Sequence, residues 1–110
     1  MANHQRGEIS AELGGERRTL CLTLGALAEI EAAYGGADLL AIAERFEGGR
    51  IAASDAIRII GAGLRGAGAS VSDDEVARLT VAGGAAGYIA IVARLLTATF
   101  NPDGTPPGNG

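Results

Sequence analysis

Gly61-Ala62-Gly63-Leu64-Arg65-Gly66 is the stretch whose spacing comes nearest to a chemical motif. It matches the G-x-G-x-x-G fingerprint, in which glycines let a backbone approach a pyrophosphate at a helix N-terminus. That chemistry needs a buried strand before the motif and a helix opening at it. Here Ile57, Ile60 and Leu64 recur at helical spacing from a start at Ser54 or Asp55, so the glycines close a helix already under way. We read them as points of close helix packing and a soft helix end. Glu29 and Glu31 suggest an acid/base pair, but two residues apart on a helix they point roughly 200° away from each other and cannot converge on one substrate. Glu29 reads as solvent-facing, and Glu31 as an ion-pair partner for Arg58 or Arg65. Ser72-Asp73-Asp74-Glu75 gathers three acids. A serine with a glutamate three residues on is a capping box, and acids in a first turn complement the helix dipole, so the structural reading is preferred to a metal site. Cys21 is alone, which excludes an intramolecular disulfide and a cysteine metal cluster, and it reads as a small core or sheet residue. His4 stands in a polar run without a partner and reads as a solvated side chain. All nine basic residues are Arg, which removes lysine Schiff-base chemistry and the P-loop lysine. The sequence therefore assigns no catalytic, cofactor-binding or metal-ligating residue and implies no cofactor, and the expectation is a protein that is not an enzyme.

The elements behind these residues are legible from periodicity. Residues 1–6 are polar and aperiodic and read as a flexible N-terminus. From Glu8 the chain alternates, with Ile9, Ala11 and Leu13 on one face. Gly14-Gly15-Glu16 reads as a hairpin turn, and Leu20, Leu22 and Leu24 line one side of the returning strand. Two strands are marginal alone, so their apolar face needs a helical cover. It begins at once: Leu24, Leu27, Ile30 and Tyr34 recur at helical spacing behind Thr23 as N-cap, and Gly35-Gly36 ends the helix. On this reading Leu24 and Leu27 are core residues whose replacement by Asp unfolds the domain. Asp38 caps a helix carrying Leu39, Ile42 and Phe46, which Gly48-Gly49 stops. A third helix follows from Ser54 or Asp55, then the capping box leads in Val76 and Leu79. The longest helix runs from about Ala85 to Phe100. The expected class is α+β, mostly α: an N-terminal β-hairpin followed by four to five helices packed in one small domain over residues 7–100. Residues 101–110, rich in Pro and Gly with no apolar side chain to bury, read as a disordered tail.

The last helix carries two apolar rows, one of Ala85, Ile89, Val92, Leu96 and Phe100, the other of Tyr88, Ile91 and Leu95. So wide an apolar arc exceeds what a small core asks of a surface helix. Either the helix is central to the domain or its second row, Tyr88, Ile91 and Leu95, is a partner-binding surface. The rest of the composition narrows the partners. Thirteen acids against nine arginines give a net charge of −4, which argues against nucleic acid, and no apolar run approaches membrane-spanning length. A cytoplasmic protein is the expectation.

Three segments taken together carry a resemblance: Leu22-Thr23-Leu24-Gly25-Ala26-Leu27-Ala28-Glu29-Ile30-Glu31, then Leu39 through Arg45-Phe46-Glu47-Gly48-Gly49-Arg50, then Ile60-Gly61-Ala62-Gly63-Leu64-Arg65-Gly66. Gly83-Gly84-Ala85-Ala86 before the last helix agrees with them. In this order the chain resembles the small tail assembly chaperones of alphaproteobacterial gene transfer agents and long-tailed phages, from about Arg6 to Phe100. The resemblance implies a non-enzymatic role: binding the tape measure protein, a long helical chain with apolar stripes, until tail tube protein polymerises around it. It leaves a homo-oligomer open. The alternative it implies is a structural tail component, a tube or joining subunit of the particle.

Overall fold

The computed structural model describes residues 7–47 and 50–100. The expected loose terminus, His4, Gly48-Gly49 and the Pro/Gly tail lie outside the described residues. Strand β1 spans Glu8–Leu13 and β2 spans Glu16–Cys21, antiparallel, with Ile9 opposite Leu20 and Ala11 opposite Arg18. A two-residue turn joins them, and it needs positive φ at both positions. Gly14 and Gly15 supply φ of 64° and 83° without the Cβ penalty. Alternation then puts Ile9, Ala11, Leu13 and Leu20 on one buried face. The hairpin tip is fixed to a segment much later in the chain, where Gly14 N–H donates to the Thr80 carbonyl at 2.8 Å.

Five helices follow: α1 Leu24–Ala33, α2 Leu39–Glu47, α3 Ala53–Gly66, α4 Asp73–Ala77 and α5 Gly84–Phe100. Their starts obey local chemistry. Thr23 Oγ1 accepts from Ala26 N–H at 3.1 Å to cap α1, and Asp38 Oδ1 accepts from Ala41 N–H at 2.8 Å. Ser72 and Glu75 form the reciprocal box at 3.2 and 2.9 Å. Ala52 precedes α3 and has no oxygen to offer, so Asp55 reaches back to the Ala52 N–H at 3.1 Å instead. The α+β class with an N-terminal hairpin and five helices around one core agrees with the sequence.

Helix α3 is the centre. It packs on β2, α1, α4 and α5, and Ala56, Ile59, Ile60, Ala62 and Leu64 along it are buried. Its three closing glycines are where those neighbours come closest. A Cβ on Gly63 would stand 2.8 Å from Leu95 Cδ2 and 3.3 Å from Leu20 Cβ. One on Gly66 would collide with the Cys21 carbonyl oxygen, and one on Gly61 with the Asp73 carboxylate. The fingerprint spacing thus serves packing, as its place inside a helix predicts.

Two expectations fail here. Leu24 is 80% exposed, so the core does not pass through it. Strand β2 ends at Cys21, and the capping turn at Leu22-Thr23 breaks the alternation that would have turned Leu24 inward. Leu22, Ala26 and Ile30 carry the core from sheet to helix, with Leu27 half-buried beside them. Glu29 also does not simply face solvent, as the ion pairs below show.

The same substitution has opposite signs at two helical glycines. Gly25 in α1 has only Thr23 Oγ1, 3.9 Å away, near its absent Cβ. Gly25→Ala should therefore raise stability in urea unfolding by up to about 1 kcal/mol, from helix propensity alone. Gly66→Ala gains the same propensity but drives Cβ into backbone that cannot rotate away, and should lose about 1–3 kcal/mol net. Leu24→Asp should stay within about 0.5 kcal/mol of the parent, whereas Ile30→Asp, at a site 1% exposed, should abolish folding.

Candidate functional site: an apolar helix face and groove

Two polar clusters hold the helices together. Arg65 near the end of α3 donates to Asp73 Oδ1 and to the Val71 carbonyl, each at 3.0 Å, and to Glu29 of α1. One guanidinium thereby ties α1 and the start of α4 to α3. Burial alone would lower its pKa, but the bonds to Glu29 and Asp73 outweigh that and raise it above the ordinary arginine value. The partner of Arg65 is Glu29, not the neighbouring Glu31.

The second cluster sits at the other end of α3. Asp55, 4% exposed, accepts from the Tyr34 hydroxyl and from the Ala52 N–H, with Arg45 Nη2 3.8 Å from its second oxygen. Arg45 and Arg58 lie over the Tyr34 ring at 5.1 and 5.3 Å, and Phe46 meets that ring edge-on at 6.1 Å. Asp55 answers Arg45, and both arginines rest on the Tyr34 ring. Among the described residues no three His, Cys, Asp or Glu side chains gather to hold a metal ion.

On α5 the exposed face is largely apolar. Tyr88 is half-buried, its hydroxyl donating to the Leu79 carbonyl, while Ile91 and Leu95 are 6% and 0% exposed. The row expected to meet a partner therefore turns into the core, where Leu95 closes on Gly63. Both rows of α5 are apolar, so their chemistry could not say which one the glycines of α3 would admit. The opposite arc is open: Ala86, Ile89, Ala90, Ala93, Thr97 and Phe100 are exposed, Ile89 at 38% and Phe100 at 41%. Beside its N-terminal half lies a groove of about 250 Å³, walled by Ile51, Ala53 and Ile57 of the α3 region, Ala77 of α4, and Ala85 and Ile89 of α5. Its walls can hold aliphatic side chains and little else.

These shapes suit protein contact, and the comparison with known families agrees. Residues 6–102 match the family described as phage tail tube protein, GTA-gp10. The chain belongs to this family. The match covers the hairpin and all five helices, so the whole described domain is what the GTA-gp10 family shares. It supports the gene transfer agent and phage tail context that the sequence suggests, but its description names the tail tube in place of an assembly chaperone. No curated protein and no solved structure matches the chain. No helix among the described residues is long and apolar enough to cross a membrane.

The Asp55 cluster gives a pH test. Burial, then the hydrogen bond to Asp55, pushes the Tyr34 hydroxyl up from 10.0 to about 12. The folded chain thus keeps a proton that the unfolded chain loses above pH about 10. Stability from this contact is complete below pH 10 and falls between about 10 and 12. Urea midpoints measured across that range should drop for the parent and stay flatter for Tyr34→Phe, which starts lower because Asp55 loses a donor.

Proposed function

We propose that the chain is a structural component of the tail of a phage-like particle of the gene transfer agent kind, working by contact with tail tube protein and without a catalytic step. The observation that carries this reading is the family match across the whole described domain. The uncharged outer arc of α5 and the groove beside it support it, since a lone small domain gains nothing from leaving Ile89 and Phe100 in water.

A second reading is a tail assembly chaperone that covers the apolar stripes of a tape measure protein until tube subunits polymerise. What favours it is the groove itself, whose apolar lining suits the apolar side chains of a partner helix. Quantitative mass spectrometry of purified particles separates the two. A tail component appears in many copies per particle. A chaperone is found with tape measure protein in the lysate and is missing from finished particles, and that outcome would remove the structural reading.

Ala85 lines the groove near the start of α5, where a carboxylate suits the helix dipole and the fold should tolerate it. Ala85→Glu is expected to keep its helical circular dichroism while the yield of tailed particles drops by about tenfold or more, the cost of forcing a charge into an apolar contact.

A further inference from the structure

We infer that the outer arc of α5 is a homodimer interface, on which a second copy packs antiparallel about a two-fold axis at Ala93. Charge argues for a second copy. The chain carries −4 overall, so most pairings of like surfaces bring acids together. Yet from Leu79 to Phe100 the only charged residue is Arg94, at the margin of the arc, and its Nη2 is taken by the Ser10 carbonyl at 2.8 Å. Among the described residues, the arc is a long helical face that two copies can bring together without opposing like charges.

Geometry argues for the two-fold. Ala86, Ala90, Ala93, Thr97 and Phe100 are spaced four, three, four and three residues apart, which is the seam of two heptads, and all five are exposed. Four of the five are small, so helix axes can approach to about 8 Å. With Ala93 on the axis, residue pairs across the seam are reciprocal, as an isologous contact requires. Phe100 then lies over Ala86 of the second copy and Ile89 over Thr97, so each large side chain meets a small one. Ala93 to Phe100 and Ala93 to Ala86 are each about 10 Å along the helix. Phe100 is thus delivered to the end of the second α5 where Ala85 and Ile89 open the groove of about 250 Å³. The face and the groove, separate features of one chain, become a knob and its socket in the pair.

The test is sedimentation equilibrium of the full chain from micromolar to near-millimolar concentration. The expected result is a species of twice the 11.0 kDa chain mass. Ala93→Glu, at an exposed position, places two carboxylates on the axis and should weaken the dimer by at least about tenfold while leaving the circular dichroism unchanged. Ala28→Glu, on the exposed face of α1, should leave the dimer intact. Ala93→Cys should link to itself on mild oxidation, since Cys21 is buried. A chain that stays monomeric throughout, a dimer indifferent to Ala93→Glu, or a ladder of head-to-tail oligomers would each overturn the inference. None of these outcomes depends on where the chain resides in a tail, so failure here and failure of the tail reading are distinguishable.

Discussion

The absence of three Cβ atoms from one end of α3 sets the architecture. Gly61, Gly63 and Gly66 leave the helix surface bare where β2, α4, α5 and the start of α1 converge. A central helix in a chain of this size must meet several neighbours within two turns, and ordinary side chains would hold them apart. Glycine weakens a helix by roughly 1 kcal/mol per residue relative to alanine, so three of them close together are tolerable only if packing returns more. It does so through Leu20 and Leu95, both 0% exposed, which sit against Gly63 from opposite elements. The hairpin alone would be marginal, and α5 alone would be an apolar helix in water. Each is stabilised by closing on the same bare patch.

With so much of α3 given to small residues, directional interactions fall to its two ends. Asp55 organises the start and Arg65 the finish, and each binds partners from at least one other helix. Arginine suits this work because its planar fork serves several acceptors at once, and because its flat face stacks on Tyr34 while its charge stays near Asp55. The clusters also explain why the chain has charges without a charged site. Asp55, Arg45, Arg65, Glu29 and Asp73 are taken up in holding α1, α2 and α4 against α3, and α5 carries no charge but Arg94.

The sequence made local features legible and hid the long-range ones. Alternation and Gly14-Gly15 defined the hairpin because a two-residue turn admits few residue types and strand side chains have a period of two. The capping box at Ser72 was readable for the same reason: its partners lie within one turn. Leu24 was not, because a strand pattern and a helix pattern overlap there and only the capping geometry decides which one it obeys. The choice of Glu29 over Glu31 depends on Arg65, 36 residues away, and no local rule spans that distance. On α5 both apolar rows looked alike, and each sends residues inward, Val92 from one and Ile91 and Leu95 from the other, with Leu95 admitted by Gly63 on another helix. The groove was invisible for a further reason: its lining of alanines, isoleucines and Tyr88 comes from residues far apart in sequence, none of which belongs to a motif.

The tail tube name of the family and the shape of this domain bear on each other. A wall built by continuous sheet pairing needs long free strand edges, whereas here the sheet has two strands of six residues, and the outer edge of β1 is met by Arg94 at the Ser10 carbonyl. Arg94 therefore does two things at once: it occupies a strand edge that would otherwise invite pairing, and it withdraws the last charge from the α5 arc. The exposed apolar surface is made by helix side chains, with Phe100, Ile89 and the groove its larger features, and not by a free strand edge. Contacts made by such a surface are non-directional and weaken in proportion to the apolar area lost.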